Sequence, residues 1–309
     1  MSTTPGPTTD AEPEAGFRRA PAVLRCWGAR GSIPSPGADT AGYGGNTACV
    51  ELRLGSRRLI LDAGSGLRPL GSQMAREGGG VQADIFLTHF HWDHIQGFPF
   101  FSPLYAPRTR IRIFAPEQGG RDLRSLFATQ MGPIYFPVPF EAVAAEIRFE
   151  PLREANTWEE NGIRVRAIRV RHPSVTLGYR IDWQGCSVAY LPDNELTGGS
   201  YEVGPDWRAR LTSFLEDVDL LLHDAMYTDE EYAHRVGWGH STPHEALELA
   251  MEARVRRLLL FHHAPDRPDR ELDRMVDGLR STAKESDHHL SVAAAREGED
   301  IPLTNHEES

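Results

Sequence analysis

The sequence predicts a mixed α+β chain in which two β-sheets pack face to face with helices outside them. Three observations predict it. Short runs rich in Val, Ile, Leu and aromatic residues recur along the chain, helical periodicity is confined to a few places, and strands alternate with helices only in the last third. The strand-like runs are Ala22–Trp27, Ala48–Leu54, Arg58–Leu61, Asp84–Thr88, Arg110–Phe114, Ile163–Arg171, Thr176–Asp182, Ser187–Leu191, Leu220–His223, Arg257–His262 and Leu290–Ala294, bounded by Gly, Pro or Asp. Apolar residues adjoin at Ala167-Ile168, where the alternation changes phase and a bulge is expected. Helices are predicted at 121–130, 243–253 and 270–284. The second is the clearest: Thr242, Pro243 and Glu245 read as N-cap, first-turn proline and capping-box partner, and Ala246, Leu247, Ala250, Met251 and Ala253 share one face.

Residues 1–20 lack the basic start and apolar run of a signal peptide and read as a disordered lead. Residues 296–309 carry five acids against one Arg and read as a disordered acidic tail. No repeat or linker divides residues 21–295, so one domain is expected there. A chain of 309 residues can bury a core without disulfides, and Cys26, Cys49 and Cys186, odd in number and without paired spacing, read as buried thiols of a cytoplasmic protein. No apolar run approaches the roughly 18 residues of a spanning helix, so no membrane partner is expected. The net charge is −11, of which the tails carry −1 and −4. The remaining −6 on residues 21–295 makes stable nucleic-acid binding unexpected.

The decisive stretch is Phe86-Leu-Thr-His89-Phe-His91-Trp-Asp93-His94, an apolar strand running into four potential ligands within six residues. Imidazole and carboxylate donors suit Zn, Mn and Fe rather than Ca or Mg. A lone histidine is ordinarily a core or surface residue, but four polar groups at a strand end are costly to bury without a metal or other partners. Similar placements recur: His172 in Val-Arg-His-Pro, Asp193 in Tyr-Leu-Pro-Asp, and His262-His263 after Leu260-Phe261. His223-Asp224-Ala-Met-Tyr227 follows another strand, and Gly239-His240-Ser241-Thr242 leads into the capped helix. A helix N-terminus offers free N–H groups to a phosphate near Ser241 and Thr242, and His240 beside it can protonate a departing alkoxide. The alternative is that Ser241 and Thr242 only cap the helix and His240 is solvated. In Trp27-Gly-Ala-Arg30-Gly31-Ser-Ile-Pro34 with Tyr43-Gly-Gly-Asn46-Thr47, glycines permit close approach of a ligand, with Arg30 and Asn46 as candidate substrate-binding residues. A hairpin connection that needs its glycines is the competing reading for Arg30.

Together these pieces resemble the metallo-β-lactamase superfamily, whose five separated motifs occur here in order over residues 22–295. The resemblance implies a four-layer αββα sandwich with the site at the sheet edge. It implies one metal on His89, His91 and His172, a second on Asp93, His94 and His262, and Asp193 bridging them. His263 competes with His262, which is preferred because the family's ligand directly follows the strand. The implied cofactor is two divalent ions, zinc first, with manganese or iron as alternatives. Asp62 matches a recurrent superfamily position and reads either as orienting a ligand histidine or as a turn-forming Asp before Gly64.

The His240 and Asp224 motifs and the N-terminal loop resemble the ribonuclease Z-like phosphodiesterase branch. There the histidine acts at the scissile phosphate and an acid orients it; the acid here is Asp224, where the branch commonly has Glu. Ribonuclease Z grips tRNA with an arm between the third histidine and the bridging aspartate. Only 20 residues separate His172 from Asp193, and two predicted strands use them. The expectation is therefore a dinuclear metal-dependent phosphodiesterase acting on a small phosphodiester, such as a cyclic nucleotide or cyclic sugar phosphate. Asp93 is a ligand that can also take a proton, His240 is the acid and Asp224 orients it. RNA 3′-end processing, lactone or thioester hydrolysis and a non-catalytic metal-dependent sensor are the alternatives. By resemblance a homodimer is expected.

Overall fold

The structure, a computed structural model, describes residues 22–78, 80–285 and 289–303. The first sheet contains β1 (Ala22–Gly28), β2 (Cys49–Leu54), β3 (Arg57–Leu61), β4 (Gln82–Phe86), β5 (Arg110–Pro116) and β6 (Glu146–Leu152), side by side in chain order. The second runs in chain order through β7 (Thr157–Glu160), β8 (Ile163–Arg169), β9 (Leu177–Trp183), β10 (Cys186–Leu191), β11 (Leu220–Asp224), β12 (Arg257–Phe261) and β13 (Ser291–Ala294). A last strand, β14 (Asp300–Pro302), returns to the first sheet beside β1.

Alternation along the strands makes the layers. Leu24, Leu52, Leu59, Leu61, Phe86 and Phe114 of the first sheet meet Val165, Tyr179, Ile181, Val188, Tyr190 and Phe261 of the second in one buried core between the sheets. The opposite faces are covered by helices. Leu67, Leu70 and Met74 of α1 (Leu67–Glu77) pack with Ile60, Ile85 and Ile113, a layer that α3 (Leu123–Gln130) joins through Leu123 and Phe127. On the other side α4 (Trp207–Leu215), α6 (Pro243–Glu252) and α7 (Asp269–Glu285) cover Ala189, Leu221, Leu258 and Leu260. The result is the αββα sandwich that the sequence predicts. Two one-turn helices, α2 (Trp92–Ile95) and α5 (Asp229–Tyr232), lie in loops at the sheet edge. Among the described residues no helix is long and apolar enough to cross a membrane. The three cysteines are buried thiols, and the Cys186 Sγ–H donates to the Leu303 carbonyl at 3.4 Å.

Four expectations change. The fold continues past residue 295: Asp300 pairs with Arg25 and Arg53, the Glu297 carboxylate accepts from the Asn46 backbone N–H, and Leu303 is buried. The acids of that stretch are partnered, which their density did not reveal; residues 304–309 and the lead 1–20 lie outside the described residues. There is no bulge at Ala167-Ile168, because β8 pairs with β9 in unbroken register. Ala167 faces the other sheet and Ile168 the helix layer, so both faces are buried at that end. Strands β6 and β7 were not expected, since their residues are half exposed and too polar to read as strands. Helix α1 was hidden by Pro69 and Gly71, yet a proline in the first turn removes no helical hydrogen bond.

Strands β3, β4 and β5 run parallel, as do β10, β11, β12 and β13, so the C-terminal ends of the central strands emerge on one edge of the sandwich. Open parallel sheets bind ligands at such an edge.

Candidate active site

Every metal-ligand candidate comes from that edge. His89, His91, Asp93 and His94 follow β4, His172 follows β8, Asp193 follows β10 and His262 follows β12. Asp62 and His262, each the first residue after its strand, have φ of 60° and 59°. This left-handed conformation is unfavourable for residues with a Cβ and commonly marks functional sites. Neighbouring glycines leave the rings room: a Cβ at Gly31 would strike the His262 ring, and one at Gly239, whose φ is +91°, would strike His172.

Asp193 is the hub. Its carboxylate lies 3.0 Å from His94 Nε2, 3.4 Å from His262 Nε2 and 3.9 Å from both His89 Nε2 and His172 Nε2. Asp93 Oδ2 stands 3.0 Å from His262 Nε2 and 3.3 Å from His94 Nε2, and accepts the Ser32 N–H at 2.7 Å. Among the described residues five groups of three donors lie within 4.8 Å of one another; they include His89 with His91 and His172, and Asp93 with His94 and His262, and two of them contain His240. His89 Nε2 is buried without a hydrogen-bond partner. His91 Nδ1 faces His172 Nε2 at 3.1 Å, and His94 Nε2 faces His262 Nε2 at 3.4 Å. Nitrogen lone pairs so placed need a proton or a cation between them, so these residues fit metal ions.

The charges agree. Burial opposes ionisation of Asp193 and Asp93, yet the facing histidines hold both carboxyls well below the ordinary range. Burial likewise opposes a charge on His94, but Asp193, Asp93 and Asp62 push it well up. His89, chiefly through burial, is held well below the ordinary histidine range, and His172 is pushed down to about 3 for the same reason. Neutral imidazole is the form that ligates.

The groups behind the ligands fix which nitrogen faces inward. Asp62, fully buried, accepts from His94 Nδ1 at 2.8 Å, Tyr190 Oη at 2.9 Å and the Thr88 N–H at 2.7 Å. Thr88 Oγ1 lies 2.9 Å from Asp62 and 3.0 Å from His89 Nδ1, so Asp62 orients His89 through the threonine hydroxyl. The orienting reading of Asp62 is thus the one its contacts support. His172 Nδ1 donates to the Gly239 carbonyl at 3.0 Å. Gly239 is held in turn by Glu195, a buried carboxylate that accepts the N–H groups of Gly237 and Gly239 and the hydroxyls of Tyr201 and Tyr232. Thr88 and Glu195 were missed by sequence reasoning. Thr88 adjoins His89 and Glu195 lies two residues past Asp193, but the partners of Glu195 lie as far as 44 residues away.

His240 stands over the cluster, stacked on His262 with centroids 4.9 Å apart and planes at 17°, and 5.5 Å from the His172 ring. Its Nδ1 is 2.7 Å from Asp224 Oδ2, so the shorter acid does reach. Asp224 is fully buried and also accepts the Asn194 and Met226 N–H groups. Burial would lower His240, but Asp224, with Asp193 and Asp93, raises it to about 9. His263, the competitor of His262, points elsewhere: its Nε2 is 2.9 Å from the Ala295 carbonyl, and burial pushes it down to about 3.

The four substrate-binding expectations are corrected. Arg30 is fully buried and donates to the carbonyls of Gly44, Ala264 and Arg267, bracing loops instead of facing an anion. The Asn46 amide is taken by Glu297 and Ser65. Ser241 Oγ is buried between the Asn194 carbonyl and the Leu196 N–H. Thr242 forms the capping box with Glu245, so this helix start is closed by its own side chains.

A family model described as "Beta-lactamase superfamily domain" matches residues 57–263, about two-thirds of the chain. The chain therefore belongs to the metallo-β-lactamase superfamily, and it is similar to ribonuclease Z. The ribonuclease Z of Exiguobacterium sibiricum is 27% identical over 244 residues, covering 65% of this chain and 77% of the relative. The metallo-β-lactamase fold protein YhfI from Bacillus subtilis superposes with a TM-score of 0.65 at 20% identity, over 92% of this chain and 100% of that one. A diphosphatase of the PhnP family gives a TM-score of 0.62 at 19% identity, over 92% and 98%. Ribonuclease Z and the diphosphatase are hydrolases by name, and this chain is a metal-dependent hydrolase of the same fold.

Proposed function

We propose that the protein is a dinuclear phosphodiesterase acting on a small phosphodiester, such as a cyclic nucleotide or cyclic sugar phosphate. The observation that carries this reading is His240, held by Asp224 at 2.7 Å and stacked over His262 beside the ligand cluster. Two divalent ions, zinc first, with His89, His91 and His172 holding one, Asp93, His94 and His262 the other, and Asp193 shared, would supply Lewis-acid charge for the phosphoryl oxygens and lower the pKa of water.

The chain's own groups do the rest. Asp62 and the Gly239 carbonyl hold Nδ1 of His94 and His172, so the neutral rings turn the Nε2 lone pair towards the site. Asp93 can receive the proton that the attacking water gives up. His240, kept protonated by Asp224, donates one to the departing alkoxide, a role that the thiolate leaving group of a thioester does not need. The two ions, when bound, would attract a phosphate locally despite the acidic chain.

RNA 3′-end processing is the second reading, supported by relatives named ribonuclease Z. Against it stand the net charge of −11 and the 20 residues between His172 and Asp193, which pair as β9 and β10 and leave no room for an arm. The metal-loaded protein tested on bis-p-nitrophenyl phosphate, cyclic nucleotides, cyclic ribose phosphates and precursor tRNA separates the two. Turnover of small diesters without tRNA cleavage is expected; tRNA cleavage as the efficient reaction overturns the proposal. Light scattering of the same preparation reads the proposed homodimer, and cell fractionation the proposed cytoplasmic location.

A further inference from the structure

Nine large apolar residues are exposed among the described residues, and five of them lie on the segments that carry site residues: Ile33, Trp92, Val175, Val236 and Trp238. Trp92 lies between His91 and Asp93 in sequence, Ile33 follows the Ser32 that binds Asp93, Val175 follows His172 by three residues, and Trp238 precedes His240 by two. Isolated exposed apolar residues need no explanation, but several on the segments that build one polar centre point to a ligand surface.

Trp238 is the most built of them. It is 60% exposed, and the guanidinium of Arg235 lies 6.0 Å from its ring. The same guanidinium lies 5.0 Å from the Tyr227 ring, and Tyr227 meets His240 edge-on at 5.5 Å. Contacts therefore run unbroken from the exposed indole to the acid histidine. Arg235 forms no ion pair among the described residues, because its acidic neighbour Glu231 is engaged by Arg267 and by the Thr228 N–H. Glu195 ties down the backbone on both sides of Trp238 through the N–H groups of Gly237 and Gly239. One nitrogen of the Arg235 guanidinium donates to the Glu231 carbonyl at 3.1 Å and the group makes no ion pair among the described residues, so an exposed indole on a fixed backbone with this guanidinium beside it is suited to a flat, hydrogen-bonding aromatic ring.

We propose that Trp238 and Arg235 form a wall that receives the base of a nucleoside phosphodiester, the indole stacking on the base and the guanidinium donating to its edge. This rests on the phosphodiesterase reading and narrows its substrate to nucleotides over base-free sugar phosphates.

The test compares ligands that differ only in the base. Calorimetry on the metal-loaded protein measures the affinities of adenosine 3′-monophosphate and ribose 3-phosphate, and turnover compares a 2′,3′-cyclic nucleotide with the same cyclic ribose phosphate bearing methoxy in place of the base. The wild type should favour the base-bearing partner about 5- to 100-fold. W238A should bring that ratio close to one, with the turnover loss carried by KM rather than kcat, and W238F should restore most of it. Equal affinities in the wild type, or an unchanged ratio in W238A, overturn the proposal. Failure of the phosphodiesterase reading looks different: no diester is turned over, while the binding ratio still reports on the wall.

Discussion

Replacing Asp62 by Asn tests whether a carboxylate that touches no metal governs metal affinity. The side chain is fully buried and cannot turn freely, because the backbone N–H of Thr88 donates to Oδ1 at 2.7 Å and has no other orientation. The asparagine oxygen must stay there, which puts its NH2 where Oδ2 now accepts from His94 Nδ1 at 2.8 Å and Tyr190 Oη at 2.9 Å. The tyrosine hydroxyl can rotate to accept, but the imidazole cannot. It must move away or shift its proton to Nε2, the nitrogen that faces Asp93 and Asp193 at 3.3 and 3.0 Å. Losing an orienting partner of a ligating histidine typically costs about 10- to 100-fold in metal affinity, or about 1.4–2.7 kcal/mol. Competition with a graded series of chelators, followed by metal analysis, measures the loss. Circular dichroism should show the variant folded. Wild-type affinity in a folded D62N protein would refute the argument.

Other predictions follow from neighbouring groups. If Asp224 acts only through His240, D224N should lower kcat/KM on bis-p-nitrophenyl phosphate and add almost nothing to the loss already caused by H240A; additive losses contradict the pairing. Glu195→Gln replaces an oxygen that accepts buried donors, so the unfolding free energy from denaturant titration should fall by about 1–3 kcal/mol. An unchanged value contradicts the role of Glu195 in fixing the Gly237–Gly239 loop. His223 is buried with Nδ1 donating to the Asp224 carbonyl at 2.7 Å and Nε2 accepting from Asn194 Nδ2 at 3.1 Å, and burial, opposed by Asp224, lowers its pKa. A proton on Nε2 would set donor against donor. The unfolded chain therefore takes up a proton near pH 6.5 that the fold refuses, and this contribution to stability is intact above that pH and lost as pH falls towards the folded pKa, at up to about 1.4 kcal/mol per pH unit. Denaturant midpoints between pH 7 and 5 should fall less steeply in H223N, and an identical slope contradicts this account.

The central strands and the ligands at their ends were legible because both signals are local. An apolar run that stops at His89, Asp193 or His262 displays its chemistry within a few residues. The edge strands β6 and β7 lack such a run because one side of each is bare. The acids of residues 297 and 300 look like a solvated tail until the strand partners that neutralise them, Arg25 and Arg53, and Asn46 are folded beside them. The same limit explains the misplaced substrate contacts. Arg30, Asn46, Ser241 and Thr242 are suited to an anion by residue type, but what they meet is set by segments distant in sequence, such as Ala264 and Glu297, or by the cap's own Glu245. His240 and Asp224 carry the same ambiguity in sequence, and their 2.7 Å contact is what the proposal for them rests on.

The central claim is that His240 serves the reaction and not the metal. The most direct test is metal content and diester turnover measured on one preparation of H240A beside the wild type. The account predicts two ions per chain in both proteins and a rate on bis-p-nitrophenyl phosphate lower by roughly 10²-fold or more in the variant. Loss of metal along with activity would make His240 a ligand, and unchanged turnover with full metal would remove it from the mechanism.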